Sequence, residues 1–98
     1  MVSKIIVKPL AEIDINESVN WYELHNEKLA EEFLFELRDA VRIVSNSPLG
    51  FAKRYKEIRA FSLNKFPYNI YYIIENDTMF IVAVLHQKRN PKILKTRK

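Results

Sequence analysis

Three groups of residues in this chain have the types and spacing that chemistry needs. The first closes an apolar run: His86, Lys88 and Arg89 follow Phe80–Leu85 in the string VLHQKRNP, residues 84–91. An imidazole at a strand end can move a proton or touch a phosphate. An arginine just past it can form a bidentate pair with phosphate or carboxylate. His86 is in phase with Phe80, Val82 and Val84, and no acid–base partner for it is visible in the sequence, so a half-buried structural ring is the plainer reading. Lys88 and Arg89 would also keep the strand end from pairing with other chains. The second group is Arg54, Lys56 and Arg59 in an extended run, with Arg54 and Lys56 on one face. If that run neighbours residues 79–87, its cations join Arg89 in one patch. Such a patch stabilises charge in phosphoryl transfer or, more commonly, binds anions without reacting. The third group is Tyr68, Tyr71 and Tyr72, which suits RNA stacking. The alternation of Tyr68, Ile70, Tyr72 and Ile74 favours core packing instead.

Other chemistries lack their residues. There is no cysteine, so disulfides, thiolate metal sites and cysteine nucleophiles are absent together, and a cytoplasmic setting is the expectation. One glycine, Gly50, cannot build a phosphate-cradling loop, and no GxxxxGK[ST] string occurs. His25 and His86 show no metal spacing, and no serine stands in a nucleophile elbow. Neither metal nor cofactor is expected. The opening MVSKIIVKPLAEI does not read as a signal peptide, because its apolar run stops at Val7. No stretch reaches the roughly 18 apolar residues of a membrane span, so no membrane partner is expected.

The elements that would position these residues follow from local pattern. The chain has 98 residues, the length of one domain. Residues 3–8, SKIIVK, read as a strand that Pro9 stops. Leu10–Ser47 contains neither glycine nor proline. It is too long for one helix of a small globule, so it should break at His25-Asn26, where Asn26 can cap the second helix. In that helix Leu29, Phe33, Leu37, Ala40, Val41 and Val44 form an apolar stripe. In the first helix Ile15, Val19 and Tyr22 form a partial one. SNSPLG, residues 45–50, ends the pair. Residues 54–61, 68–74 and 79–87 read as strands, with a hairpin loop at 75–78. The expected fold class is α+β: an N-terminal strand, a helical hairpin, then a three-stranded antiparallel meander, with the helices on one face of the sheet. Pattern alone leaves the first strand either at an edge or beside a central strand. Residues 1–91 make the domain, and 92–98 are a basic tail whose only apolar anchors are Ile93 and Leu94. That tail is either disordered or ordered on a partner.

Charge is split along the chain. Residues 1–50 carry 5 basic and 9 acidic side chains, whereas residues 51–98 carry 11 basic and 3 acidic ones. Unpaired cations stay on the surface, so a cationic face suited to nucleic acid or an acidic protein segment is expected.

The strings WYELHNEKLAEEF, Ser47-Pro48 and KFPYNIYYIIENDTMFIVAVLHQKRNP together resemble the ParE/RelE superfamily of toxins from type II toxin–antitoxin modules. They are most similar to the ParE-like branch, the plasmid stabilisation proteins. The most specific pieces are Phe66-Pro67-Tyr68 with Ile70-Tyr71-Tyr72, then Ala83–His86 and Arg89-Asn90-Pro91. The resemblance covers about residues 3–91. It implies a helical hairpin on an antiparallel sheet and a cognate antitoxin, usually acidic where it grips the toxin. The assembly would be a toxin–antitoxin hetero-oligomer or a homodimer. ParE-like members inhibit DNA gyrase, while RelE-like members cleave messenger RNA on the ribosome without a metal. On the nuclease reading Arg54, Arg59, His86 and Arg89 would stabilise charge and move protons. The residues after Arg89 include no tyrosine, histidine or carboxylate, a departure that favours the gyrase-binding, non-enzymatic branch. Under that reading Arg54, Lys56, Arg59, Lys88 and Arg89 bind the target or another anion. A third possibility is a domain of the same fold that binds anions or protein and has lost toxicity.

Overall fold

Pro9 decides where the first strand ends. Its ring fixes φ and removes a donor that the first turn of a helix does not use. Strand β1 (Lys4–Val7) therefore gives way at once to helix α1 (Pro9–His25). The computed structural model describes residues 2–97. Helix α1 stops at Asn26, whose side chain accepts the Lys28 N–H at 2.9 Å and so starts α2 (Glu27–Asn46). This is the break expected from the sequence. A 3-10 turn at Pro48–Gly50 then leads into the sheet.

The remaining strands are β2 (Lys53–Tyr55), β3 (Ile58–Ser62), β4 (Tyr68–Glu75) and β5 (Thr78–His86). Their order in the sheet is β1-β5-β4-β3-β2. Strands β3, β4 and β5 form the expected antiparallel meander. β1 lies at the edge, parallel to β5, which answers the question the pattern left open. Residues 54–61 differ from expectation. They are a tight hairpin rather than one strand, and the sheet has five strands. The turn rests on Lys56, which takes φ 49°. Left-handed backbone normally selects glycine or asparagine, so a lysine there gave no turn signal.

The sheet buries both faces. On one, α1 and α2 cover Ile70, Tyr72, Met79, Ile81 and Val84 with Tyr22, Phe33, Leu37 and Val44. Tyr22, Phe33, Phe66 and Tyr68 form an aromatic cluster there, with centroid spacings of 5.1 to 5.4 Å between packed rings. The Glu36 carboxylate ties α2 to the β3–β4 loop by accepting the N–H groups of Asn64 and Lys65 at 3.1 to 3.2 Å. On the other face Ile58, Tyr71, Val82, Ala83 and Leu85 pack against Leu94. Leu94 belongs to a short C-terminal 3-10 helix, Pro91–Thr96, and is fully buried. The segment read as a basic tail thus closes the second face through its two apolar anchors; Lys98 lies outside the described residues.

One ion pair holds that closure. β1 accompanies β5 only as far as Ile81, whose carbonyl accepts the Lys8 N–H at 2.9 Å. Beyond that point the edge of β5 has backbone groups with no strand to meet them, and unpaired buried amides are costly. Asp14 of α1 accepts the Val84 N–H at 3.1 Å. Arg97 donates to the Val82 carbonyl at 3.1 Å and to both Asp14 oxygens at 2.6 and 3.0 Å. Both side chains are buried. The β4–β5 register shifts at the same place, since Tyr71 faces Ala83 but Tyr72 faces Ile81, leaving Val82 as a bulge. The buried stripe of α1 is accordingly Ala11, Asp14, Ser18 and Tyr22, with Ile15 and Val19 half-buried beside it.

Removing one partner of this pair leaves a buried charge without compensation. Asp14→Asn or Arg97→Ala should each lower stability by about 3–5 kcal/mol in urea unfolding. Replacing both by apolar residues of similar volume should recover most of that loss. Tyr72 gives a pH test. Its hydroxyl donates to the Pro48 carbonyl at 2.6 Å. Burial raises its pKa, and Arg59 nearby lowers it in part. A raised folded-state pKa means that stability is complete below the ordinary phenol value near 10 and is lost as pH climbs from there through the folded value. Tyr72→Phe should flatten that alkaline decline while costing about 1 kcal/mol at neutral pH through the lost hydrogen bond.

Candidate functional site

Where β5 runs out, α1 and the strand end enclose a cleft of about 250 Å3 lined by Glu17, Trp21, Tyr68, His86 and Arg89, among others. Helical spacing places Glu17 and Trp21 four residues apart on one face of α1. Register places Tyr68 of β4 directly opposite His86 of β5, and their rings meet edge to face at 5.4 Å. The chain turns sharply after His86. Arg89 N–H returns to the His86 carbonyl at 2.9 Å, which brings Arg89 back to the cleft. The Lys88 N–H donates to His86 Nδ1 at 3.1 Å. Nδ1 is then the unprotonated acceptor of the neutral ring, and Nε2 carries the proton as a donor. Beneath the cleft Tyr22 packs against Tyr68; burial, and then this neighbour, raise the Tyr22 pKa. Trp21 is 54% exposed and stacks one face on His25 at 4.0 Å.

The other predicted cations lie elsewhere. Arg59 is opposite Tyr72 on β4, whereas His86 is opposite Tyr68. Four residues along β4 and two strands across separate the two positions, roughly 16 Å by sheet spacing. β4 stands between β3 and β5, so the condition for one shared patch is not met. Arg59 is half-buried and donates to the carbonyls of Phe51 at 2.7 Å and Leu49 at 3.4 Å, holding the loop before β2. Lys56 sits in the hairpin turn with its ammonium over the Tyr55 ring at 5.5 Å. Arg54 is exposed on the edge strand β2. The structure therefore unites His86 and Arg89, with Lys88 beside them, and leaves Arg54, Lys56 and Arg59 at the far corner. Glu17 escaped sequence reasoning. Its only signal was a spacing of four from Trp21, which matters only once α1 is known to flank β5.

Two other surfaces stand out. Ile5 and Val7 of β1, with Ile15, Leu34, Leu37 and Val41 of the helices, line an apolar groove of about 310 Å3, and Arg38 supplies its charge. Lys4 and Lys8 donate their N–H groups toward β5, so strand alternation points those of Ile5 and Val7 outward along an open edge. The groove and the strand edge are continuous. On the outer side of α2, Glu31, Glu32, Glu36 and Asp39 surround Phe35, which is 74% exposed, in a shallow hollow that also meets Lys28 and Lys65. Part of the acidic excess of the N-terminal half thus collects on α2, while Lys88 and Arg89 are exposed just past the end of β5 and Lys92 and Lys95 on the 3-10 helix that follows. No helix of the described residues is long and apolar enough to cross a membrane. Among the same residues no group of three His, Asp or Glu side chains is placed to hold a metal ion.

This arrangement of strands and helices is a known one. The solved structure of the "Chromosomal ParDE TA system from P. aeruginosa" includes a chain with the same fold: TM-score 0.76, 14% sequence identity, 88% of this chain and 96% of that one covered. The sequence itself matches the family described as "ParE toxin of type II toxin-antitoxin system, parDE" over residues 5–91, and the chain belongs to that family. A search of the curated proteins found no match.

The two arginines of the far corner should separate cleanly. Arg59→Ala strips donors from the Phe51 and Leu49 carbonyls and should cost about 1–2 kcal/mol in urea unfolding. Arg54→Ala removes an exposed charge and should stay within about 0.5 kcal/mol.

Proposed function

We propose that this chain is the toxin of a two-protein module, that it inhibits DNA gyrase by binding rather than by chemistry, and that a cognate antitoxin neutralises it. Family membership supports the toxin role. The observation that carries the choice of mechanism is the separation of the cations. A metal-free nuclease needs its charge-stabilising and proton-transferring groups around one reacting phosphate. Here Arg59 is committed to two backbone carbonyls, and Arg54 stands on the opposite edge of the sheet from His86 and Arg89. Distributed cations serve a broad contact with a large partner better than they serve a single reacting centre. Ribosome-dependent cleavage of messenger RNA is the reading they serve less well.

The apolar groove is the natural seat of the antitoxin. Its apolar lining suits the apolar face of an amphipathic helix, and the free edge of β1 can accept a strand beside it. An acidic segment leaving the groove would also meet Arg38.

Gyrase supercoiling in the presence of the purified protein tests the target. Dose-dependent loss of supercoiling is expected, with an unchanged primer-extension pattern on translated messages. Full supercoiling at high excess of folded protein, or new message ends, would reject the proposal, and growth unaffected by induction would mark a chain that is no longer toxic. Val7→Lys and Leu34→Asp should each weaken antitoxin binding about 100-fold in calorimetry, the scale expected when a buried apolar anchor is replaced by a charge, and leave gyrase inhibition intact.

A further inference from the structure

We infer that the cleft between α1 and the end of β5 binds one nucleotide of a single-stranded nucleic acid. Four polar groups line it without a side-chain or backbone partner among the described residues: the Glu17 carboxylate, the Trp21 indole N–H, His86 Nε2 and the Arg89 guanidinium. Two further polar side chains in its wall, beside Tyr68, are already satisfied. Asp14 is held by Arg97, and the Ser18 hydroxyl donates to the Asp14 carbonyl at 3.0 Å. Convergent unpaired groups in a cleft between aromatic rings mark a ligand site.

The kinds of group define the ligand. Arg89 and the Nε2–H of His86 both donate, and together they suit a phosphate. The hydrogen bond from the Lys88 N–H to Nδ1 fixes that role for the ring before any ligand arrives. Trp21, more than half exposed, offers a ring on which a base can stack, and stacking tolerates any sequence; Tyr68 stays packed in the aromatic cluster and forms part of the cleft wall. Glu17 accepts only, so it answers the exocyclic amino group of a base and repels a bare phosphate. A volume of about 250 Å3 suits one base with its phosphate. Lys88, next to Arg89 in the turn after His86, is exposed and can meet a further phosphate of the same strand. The inference does not rest on gyrase inhibition, and a supercoiling result of either sign leaves it standing.

Trp21 is the only tryptophan in the chain, so its fluorescence reports on this cleft alone. The probes are an oligoadenylate of about six nucleotides, in ribo and deoxy forms, an abasic strand of the same length, and inorganic phosphate. Saturable quenching by the oligoadenylate is expected, with the abasic strand at least tenfold weaker and phosphate inert at equal phosphate concentration. Comparison of the ribo and deoxy strands identifies which nucleic acid the cleft prefers. With a labelled oligoadenylate, anisotropy should show Arg89→Ala and Trp21→Ala each binding at least tenfold more weakly, Trp21→Phe restoring most of the affinity, and Arg54→Ala unchanged. Both Arg89 and Trp21 are exposed enough to be replaced without unfolding the chain, which circular dichroism checks. Equal binding of the abasic strand and the oligoadenylate, or an Arg54→Ala loss as large as that of Arg89→Ala, would reduce the effect to general charge attraction and overturn the site. Absence of quenching at any strand concentration would do so as well.

Discussion

The fold depends on how the edge of β5 is finished after β1 leaves it. A parallel edge strand of four residues cannot cover a partner of nine, and the remainder of that edge is buried under α1. Asp14 and Arg97 supply the missing backbone partners and neutralise each other in doing so. Each would be expensive there alone. The pair also ties together three parts of the molecule: the first turns of α1, the bulge in β5 and the residue that ends the C-terminal 3-10 helix. Leu94 can then stay on the second face of the sheet, and the strand end carrying His86 is held against α1.

That arrangement sets the chemistry of the surface. The bulge at Val82 and the turn after His86 bring a histidine and an arginine back toward α1, where Glu17 and Trp21 already stand. The hairpin at Lys56 takes the other cations to the opposite edge, and Arg59 is spent on shaping the loop before β2. The molecule therefore offers separate surfaces rather than one centre: an apolar groove with an open strand, a polar aromatic cleft, and an acidic helix face around Phe35. Separate surfaces suit the proposed function, in which one partner would silence the protein and another would be its target.

What could be read from the residues is what local physics determines. The α2 stripe, the Asn26 cap, the meander and the family strings are all patterns within a few turns or strands, and they emerge close to where expected, except that Ala30 rather than Leu29 opens the buried stripe and residues 54–61 fold back as a hairpin. Lys56 was missed because a lysine in left-handed backbone carries no compositional mark. Asp14 was missed for a different reason. An acid in phase with a buried stripe announces a hidden partner, but that partner lies 83 residues away, beyond the reach of any periodicity. The same distance hid the cleft, since Glu17 and Arg89 meet only through the packing of α1 on β5.

The parallel pairing of β1 with β5 has a consequence for how the chain folds. Every other neighbouring pair of strands, and the two helices, is joined by a short connection and can form early. β1 and Asp14 must wait for β5, and Asp14 meets Val84 across 70 residues of intervening chain. Closing so large a loop is slow, because its entropy is spent before the contacts are made. The β4–β5 hairpin is therefore the template on which the N-terminal third condenses. During that interval the apolar strand β1 is loose, so the same segment that gives the finished domain an open edge is also its most exposed point for misassembly.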